Sequence, residues 1–277
     1  MGVLFVVVTL YHPISALPCC INLLLPFVYL DVLENLFYST PCAFPLVQSR
    51  IIGGWEWERH SQPWQVVVYH YDKWELTAAH CIPGRMGSGV VRLGQHSLDA
   101  DEDTGQYVPV RHSIPHSLYN RSLRMPFLSP DADNSHDLML CQLREPANTT
   151  EAVRVTEEPT EEAKLGSCCL ASGWGSTRPD KSLSAKMLQC VDLTLMSSDV
   201  CTDTYSQRVT EFMLCAGHQE GSRDTCMILY SLVCCKGSLQ GITSWGGNPC
   251  AYPKKPSIFT KVSKCMNWIK ANIHITP

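Results

Sequence analysis

The sequence predicts an all-β protein that closes on a single C-terminal helix. Two patterns predict it. After residue 50 the apolar residues fall in short or alternating runs, Gln65 to Tyr69, Gln106 to Val110, Leu138 to Leu143 and Leu239 to Ser244, separated by Gly, Pro, Asn and Ser, as strands divided by turns require. At the other end Val262, Cys265, Met266, Ile269 and Ile273 recur at three- and four-residue spacing, which lays one apolar stripe along a helix. No internal repeat or low-complexity tract interrupts the pattern.

The elements follow in order along 277 residues. Residues 1–42 are an apolar leader with runs from Val3 to Tyr11 and Ile21 to Leu30 and, up to residue 49, only Asp31 and Glu34 as charges. A signal peptide, a membrane anchor and a segment without function are the three readings of it. The first lacks a basic n-region and a clear cleavage site. The second needs about 20 apolar residues in helix, and Pro13, Pro18 and Pro26 interrupt every window. Residues 43–50 read as a propeptide-like segment and residues 51–277 as one folded domain.

Composition narrows the function. A formal charge of −4, with 45% hydrophobic and 17% charged residues, is that of a globular chain. It argues against nucleic acid as a partner, which demands clustered basic charge, and against disorder. Fifteen cysteines point to an oxidising, secreted context, and their odd number leaves at least one thiol over.

The chemistry sits in a few strings. Thr77-Ala78-Ala79-His80-Cys81 follows one strand-like run, Asp137-Leu138-Met139-Leu140 opens another and Ser244-Trp245-Gly246 closes a third. A histidine and an aspartate on separate strands are two parts of a nucleophilic triad, in which the carboxylate fixes the imidazole tautomer and the imidazole takes the nucleophile's proton.

Together with Arg50-Ile51-Ile52-Gly53-Gly54, Ser61-Gln62-Pro63-Trp64, Ala171-Ser172-Gly173-Trp174-Gly175 and Asp224-Thr225-Cys226, these strings resemble the trypsin-like serine proteases over most of residues 43–277. Pro45 to Arg50, Glu102 to Gln106, the insertion from His116 to His136 and Val209 to Gly217 resemble the tissue kallikreins of the glandular and prostate type. The resemblance implies two packed antiparallel β-barrels with the site between them, secretion as a zymogen cut between Arg50 and Ile51, and endopeptidase activity after Arg or Lys. It implies His80 as general base, Asp137 as its orienting carboxylate and Asp224 as the floor of the specificity pocket. Ser244, Trp245 and Gly246 would bind the substrate backbone, and Ser257 would line the pocket wall. Protein or peptide substrates and protease inhibitors are the expected partners of a monomer without cofactor or metal.

Three departures limit that expectation. The family runs from the pocket cysteine through any residue, Gly-Asp-Ser-Gly-Gly-Pro and Leu-Val-Cys, whereas here Cys226-Met227-Ile228-Leu229-Tyr230-Ser231-Leu232-Val233-Cys234 is two residues shorter. Tyr230 then stands at the nucleophile, Ile228 at the oxyanion-hole glycine and Leu229 at the aspartate that would receive the Ile51 amino terminus. Ser231, next door, is the only substitute nucleophile. Second, twelve residues separate Trp64 from Thr77, about ten fewer than in the family. The N-terminal barrel should therefore lack a strand, and stay open or rearrange in a way that moves His80. Third, the resemblance pairs Cys169 with Cys234, Cys201 with Cys215 and Cys226 with Cys250. It leaves Cys81 and Cys190 without their family partners, the latter because Trp57 replaces a cysteine. Cys19, Cys20, Cys42, Cys141, Cys168, Cys235 and Cys265 match no family bridge.

The sequons Asn120-Arg121-Ser122 and Asn148-Thr149-Thr150 would accept glycans on the secretory route. His116 and His136 bracket the insertion, where related kallikreins hold inhibitory zinc. The expectation is thus a kallikrein-like serine protease homologue whose own serine loop is altered and which does not cut. The alternatives are a non-catalytic binder of basic peptides and a variant product that does not fold.

Overall fold

The computed structural model describes residues 54–56, 58–59, 66–69, 75–81, 89–124, 133–156, 158–178, 181–184, 186–205, 209–221, 223–225, 231–247 and 250–273. Its C-terminal half is a barrel of β7 (Cys168–Gly173), β10 (Gln189–Met196), β11 (Met213–Gly217), β12 (Leu232–Cys235), β13 (Ser238–Trp245) and β14 (Ser257–Lys261). Every neighbouring pair is antiparallel, and pairing of β10 with β7 closes the ring. Strand β1 (Trp55–Glu56) pairs with the start of β10, on the edge that β11 occupies at its other end, and β8 (Ser176–Arg178) pairs with β9 (Lys181–Ser184) in a separate hairpin.

The N-terminal half has five strands in the order β2 (Val66–Tyr69), β4 (Val90–Leu93), β5 (Gln106–Pro115), β6 (Met139–Leu143) and β3 (Glu75–Thr77). Among the described residues β2 and β3 pair on one side only, so this sheet is a half-barrel, open where the shortened segment between Trp64 and Thr77 removes a strand. Its alternate side chains still make a core of Val91, Leu93, Val108, Val110, Met139 and Cys141.

Helix α2 (Val262–Ile273) follows β14 directly. The predicted stripe is its inner face: Val262, Cys265, Ile269 and Ile273 are buried, and they pack with Leu138 and Leu140 of the first half and with Leu239 and Ile242 of the second. One apolar cluster therefore spans both halves and fixes the ends of the strands that carry the site.

Two disulfides tie the second half together. Cys201, on helix α1 (Ser198–Thr204), is bonded to Cys215 on β11. Cys169 is bonded to Cys235, which corrects the expected pairing with Cys234. The reason is strand alternation: successive residues of β12 point to opposite faces. Val233 and Cys235 share a face with Cys169 and Ala171, while Cys234 turns to the cluster around α2. The shortfall counted to Cys234 as two residues becomes one when the count ends on the bridged Cys235. Cys168 and Cys235, expected as surplus thiols, are both disulfide-bonded. Cys250 is disulfide-bonded as well, and Cys226 lies outside the described residues. Cys141 and Cys265 are buried thiols, pushed up to about 12 and about 11 by burial. Cys190 packs with Leu170 and Trp55.

Cys235→Ser should lower unfolding stability by about 2–5 kcal/mol, the usual cost of a lost native disulfide. Cys234→Ser should cost less, because the bridge survives. Urea unfolding of the two variants side by side measures the difference.

Candidate active site

Asp137 ends the insertion just before β6, and β6 pairs with β3 through Thr77 opposite Met139. The chain leaves β3 into a 3-10 turn, Ala79–Cys81, which carries His80 back over Asp137. The two residues meet twice. The backbone N–H of His80 donates to Asp137 Oδ1 at 2.9 Å, and His80 Nδ1 lies 2.7 Å from Oδ2. An ionised carboxylate only accepts, so Nδ1 holds the ring proton and Nε2 the lone pair. Asp137 is fully buried, whereas the His80 side chain is 18% exposed.

Two further contacts hold the carboxylate. Ser244 Oγ donates to Oδ2 at 2.7 Å and Thr260 Oγ1 donates to the Asp137 carbonyl at 2.9 Å. Ser244 was singled out in the sequence as a substrate-binding residue, not as a support for Asp137. Thr260 was missed, and nothing in its local sequence marks it: its role arises because β13 and β14 reach the same point in space. Of the two expected outcomes, an open barrel or a rearrangement that moves His80, the structure shows the open one, with His80 still bonded to Asp137. The missing strand belongs on the free edge of β3, whereas His80 is fixed through the opposite edge, by β6 and Asp137.

Three residues separate the dyad from a second buried carboxylate. Trp245 follows Ser244 and packs edge-on against Tyr205, whose hydroxyl donates to the Pro256 carbonyl at 2.6 Å. Gly246 comes next, where a Cβ would stand 3.4 Å from Ser257 Oγ. Ser257 Oγ donates to Asp224 Oδ1 and receives the Thr225 hydroxyl at 2.9 Å. Backbone N–H groups complete the cradle, Thr225 to Oδ1 and Ala251 to Oδ2, both at 2.7 Å. Asp224 is 4% exposed. Burial lifts its pKa above the ordinary aspartate range, and the bonds from Ser257, Ala251 and Thr225 oppose that rise.

Ser231 does not join this group. It is fully buried, and its Oγ has no hydrogen-bond partner among the described residues, His80 included. Only its carbonyl is engaged there, by the Thr243 N–H at 3.0 Å. Cys226, Met227, Ile228, Leu229 and Tyr230, like Arg50, Ile51 and Trp57, lie outside the described residues.

His116 and His136 are brought together, in an orientation that does not aim both rings at one ion. Their rings stack at 4.5 Å with 21° between planes, flanked by Trp268 and Phe212. Lone pairs lie in the ring planes, so nearly parallel rings cannot both aim at one ion about 2.1 Å away. His116 Nδ1 is moreover occupied by the Leu118 N–H at 3.2 Å. No cluster of three or more metal-ligating side chains occurs among the described residues.

Burial and the neighbouring His136 lower His116 to a pKa of about 4. With an unfolded value near 6.5, the unfolded chain binds the proton first as pH falls. Stability should therefore be full near neutrality and decline between about pH 6.5 and pH 4. Melting of the parent and of His116→Phe across that range checks it, the variant losing part of the slope.

Asn120 and Asn148 are exposed. Asn120 Oδ1 accepts the Ser122 N–H at 3.1 Å and hydroxyl at 2.6 Å, and Asn148 is held through its backbone by Gln106.

The pair of His80 and Asp137, its serine support and the buried Asp224 now have a geometry, and the trypsin family model matches residues 51–269. The chain belongs to the trypsin family. Among its members it is 50% identical to human kallikrein-2 over 89% of this chain and 99% of that protein. Pig glandular kallikrein is 45% identical over 84% of this chain and all of its own length. Neuropsin, a serine protease expressed in the limbic system of mouse brain, shares the fold with a TM-score of 0.70 and 36% identity, covering 79% of this trypsin-family chain and 98% of its own. The kinship is thus with tissue kallikreins, and the half-barrel is a departure from a closed pair.

Proposed function

We propose that this chain is a kallikrein-family protein that binds basic peptide side chains without cutting the peptides that carry them. The observation that carries the reading is the separation of functions in the site. Asp137 is bonded to His80 and Asp224 is buried among hydrogen-bond donors, which supports roles in orienting a histidine and holding a cation, while the Oγ of Ser231 is buried without a bond to His80 among the described residues. A desolvated carboxylate supported by backbone donors suits the guanidinium of Arg or the ammonium of Lys. Catalysis needs more: a nucleophile on His80 and two N–H groups aimed at the oxyanion. Ile228 and Tyr230 replace the glycine and the serine that supply these in relatives, and Leu229 offers no charge to the Ile51 ammonium.

Secretion belongs to the same reading. Disulfides at Cys169 and Cys201 suit an oxidising compartment, and Asn120 and Asn148 are exposed for glycans. Peptides and inhibitors that present Arg or Lys are the fitting partners of a monomer.

The experiment is a fluorescence titration with p-aminobenzamidine alongside an Arg-amide assay, on chain cut at Arg50 by immobilised trypsin. Saturable binding without turnover is expected. Turnover abolished by Ser231→Ala would overturn the reading.

A further inference from the structure

His80 holds an imidazole that a binding role leaves unused. Asp137 fixes its tautomer at 2.7 Å, its side chain is 18% exposed, and its Nε2 lone pair has no hydrogen-bond partner among the described residues. In a working serine protease that lone pair would be occupied with a serine hydroxyl. Here the ring is partly exposed, and Ser244, which donates to Asp137, stands two residues before Gly246, which lies against Ser257 in the cradle of the buried Asp224.

We propose that this chain hydrolyses activated aryl esters of cationic amino acids with His80 itself as nucleophile. The inference rests on the cation pocket proposed above and adds a reaction to it. The ammonium or guanidinium of the acyl group sits at Asp224, and the strip Ser244–Trp245–Gly246 connects the support of Asp137 to the cradle of Asp224. Nε2 attacks the ester carbonyl carbon, the carbon–oxygen bond to the aryl group breaks, and the aryloxide leaves with its electron pair. The product is an acyl-imidazolium on Nε2. Its positive charge is balanced by Asp137, to which Nδ1–H continues to donate. Water then adds to the acyl carbon, the carbon–nitrogen bond breaks and returns its pair to Nε2, the carboxylic acid departs with one of water's protons, and the other passes through solvent to the aryloxide. The balance is ester plus water to acid plus phenol.

The leaving group sets the substrate class. A nitrophenolate departs near neutral pH without a proton donor, whereas an amine must be protonated as it leaves. An acyl-imidazole lies far above an amide in free energy and near an activated ester. Aryl esters are therefore within reach of His80 where peptides are not, and loss of the serine does not silence the imidazole.

The test uses the full-length chain without added trypsin, pretreated with a serine-directed sulfonyl fluoride to silence contaminating proteases. The probes are the 4-nitrophenyl esters of Nα-benzyloxycarbonyl-lysine and of its uncharged norleucine analogue, followed by nitrophenolate release. The lysine ester should turn over saturably and at least tenfold faster than the norleucine ester. His80→Ala should lose tenfold or more of that rate while still binding p-aminobenzamidine, which shows that the variant folds. Asp224→Ala should level the two esters. The proposal fails if His80→Ala, still binding p-aminobenzamidine, is as fast as the parent, or if the sulfonyl fluoride removes the activity. Equal parental rates for both esters overturn the assigned substrate class. Failure of p-aminobenzamidine to bind the parent overturns the cation pocket, whereas amide turnover lost in Ser231→Ala overturns the non-cutting reading. These results separate the two proposals.

Discussion

Replacing residues 227–234 with a family-type run of one residue followed by Gly-Asp-Ser-Gly-Gly-Pro-Leu-Val should raise Arg-amide hydrolysis by at least about a thousandfold after cleavage at Arg50. Loss of a triad nucleophile costs on the order of a millionfold in related hydrolases, so the expected gain is a conservative share of that. The rest of the site is already built. His80 is bonded to Asp137, Asp137 to Ser244, and Asp224 to three donors. What the replacement supplies is a serine for Nε2, a glycine turn whose N–H groups face the oxyanion, and an aspartate for the Ile51 amino terminus. Its boundary matters as much as its content. Ending the insert on Cys235 preserves the bridge to Cys169, whereas ending it on Cys234 puts the bridging sulfur on the wrong face of β12. The first version should gain activity and the second should not. A first version that folds, is cut at Arg50 and stays inert would mean that the half-barrel, not the loop, disables the site.

That contrast shows where the sequence was legible. The helix from Val262 to Ile273, the strand pattern and the dyad of His80 and Asp137 could be read because each depends on local periodicity or on an intact string of residues. The pairing of Cys169 could not. Cys234 and Cys235 are adjacent and chemically identical, so only the two-residue alternation of β12 decides which one faces β7. A gap in a loop has no intrinsic position until a neighbouring strand fixes the register. The choice between an open barrel and a rearrangement that moves His80 was not legible either, for a related reason. Losing a whole strand suggests broad rearrangement, but strands support only what lies on their own edge, and His80 hangs from the edge that remained paired. The support of Asp137 by Ser244 and Thr260 was hidden because residues 107 and 123 positions away meet it only after both halves have folded.

The pocket acid gives the other large effect. Asp224→Ala should weaken p-aminobenzamidine binding by about 30-fold to 1000-fold, because removing one partner of a desolvated charge pair costs roughly 2–4 kcal/mol. Unfolding stability should change far less. The variant loses a carboxylate that burial disfavours and leaves the Thr225 and Ala251 N–H groups unanswered, two costs of opposite sign. The pH dependence separates a charge effect from a shape effect. Binding needs the ionised carboxylate, and burial holds the free carboxyl above the ordinary aspartate value. Affinity should therefore be constant near neutral pH and begin to fall at a higher pH than an exposed aspartate would produce, by tenfold per pH unit once the carboxyl is mostly protonated. Ser257→Ala sharpens the test: it deletes the hydrogen bond that most strongly favours the ionised form, so the pH at which binding weakens should move further up. An unchanged pH profile in Ser257→Ala, with binding otherwise intact, would mean that the cation is held somewhere other than Asp224.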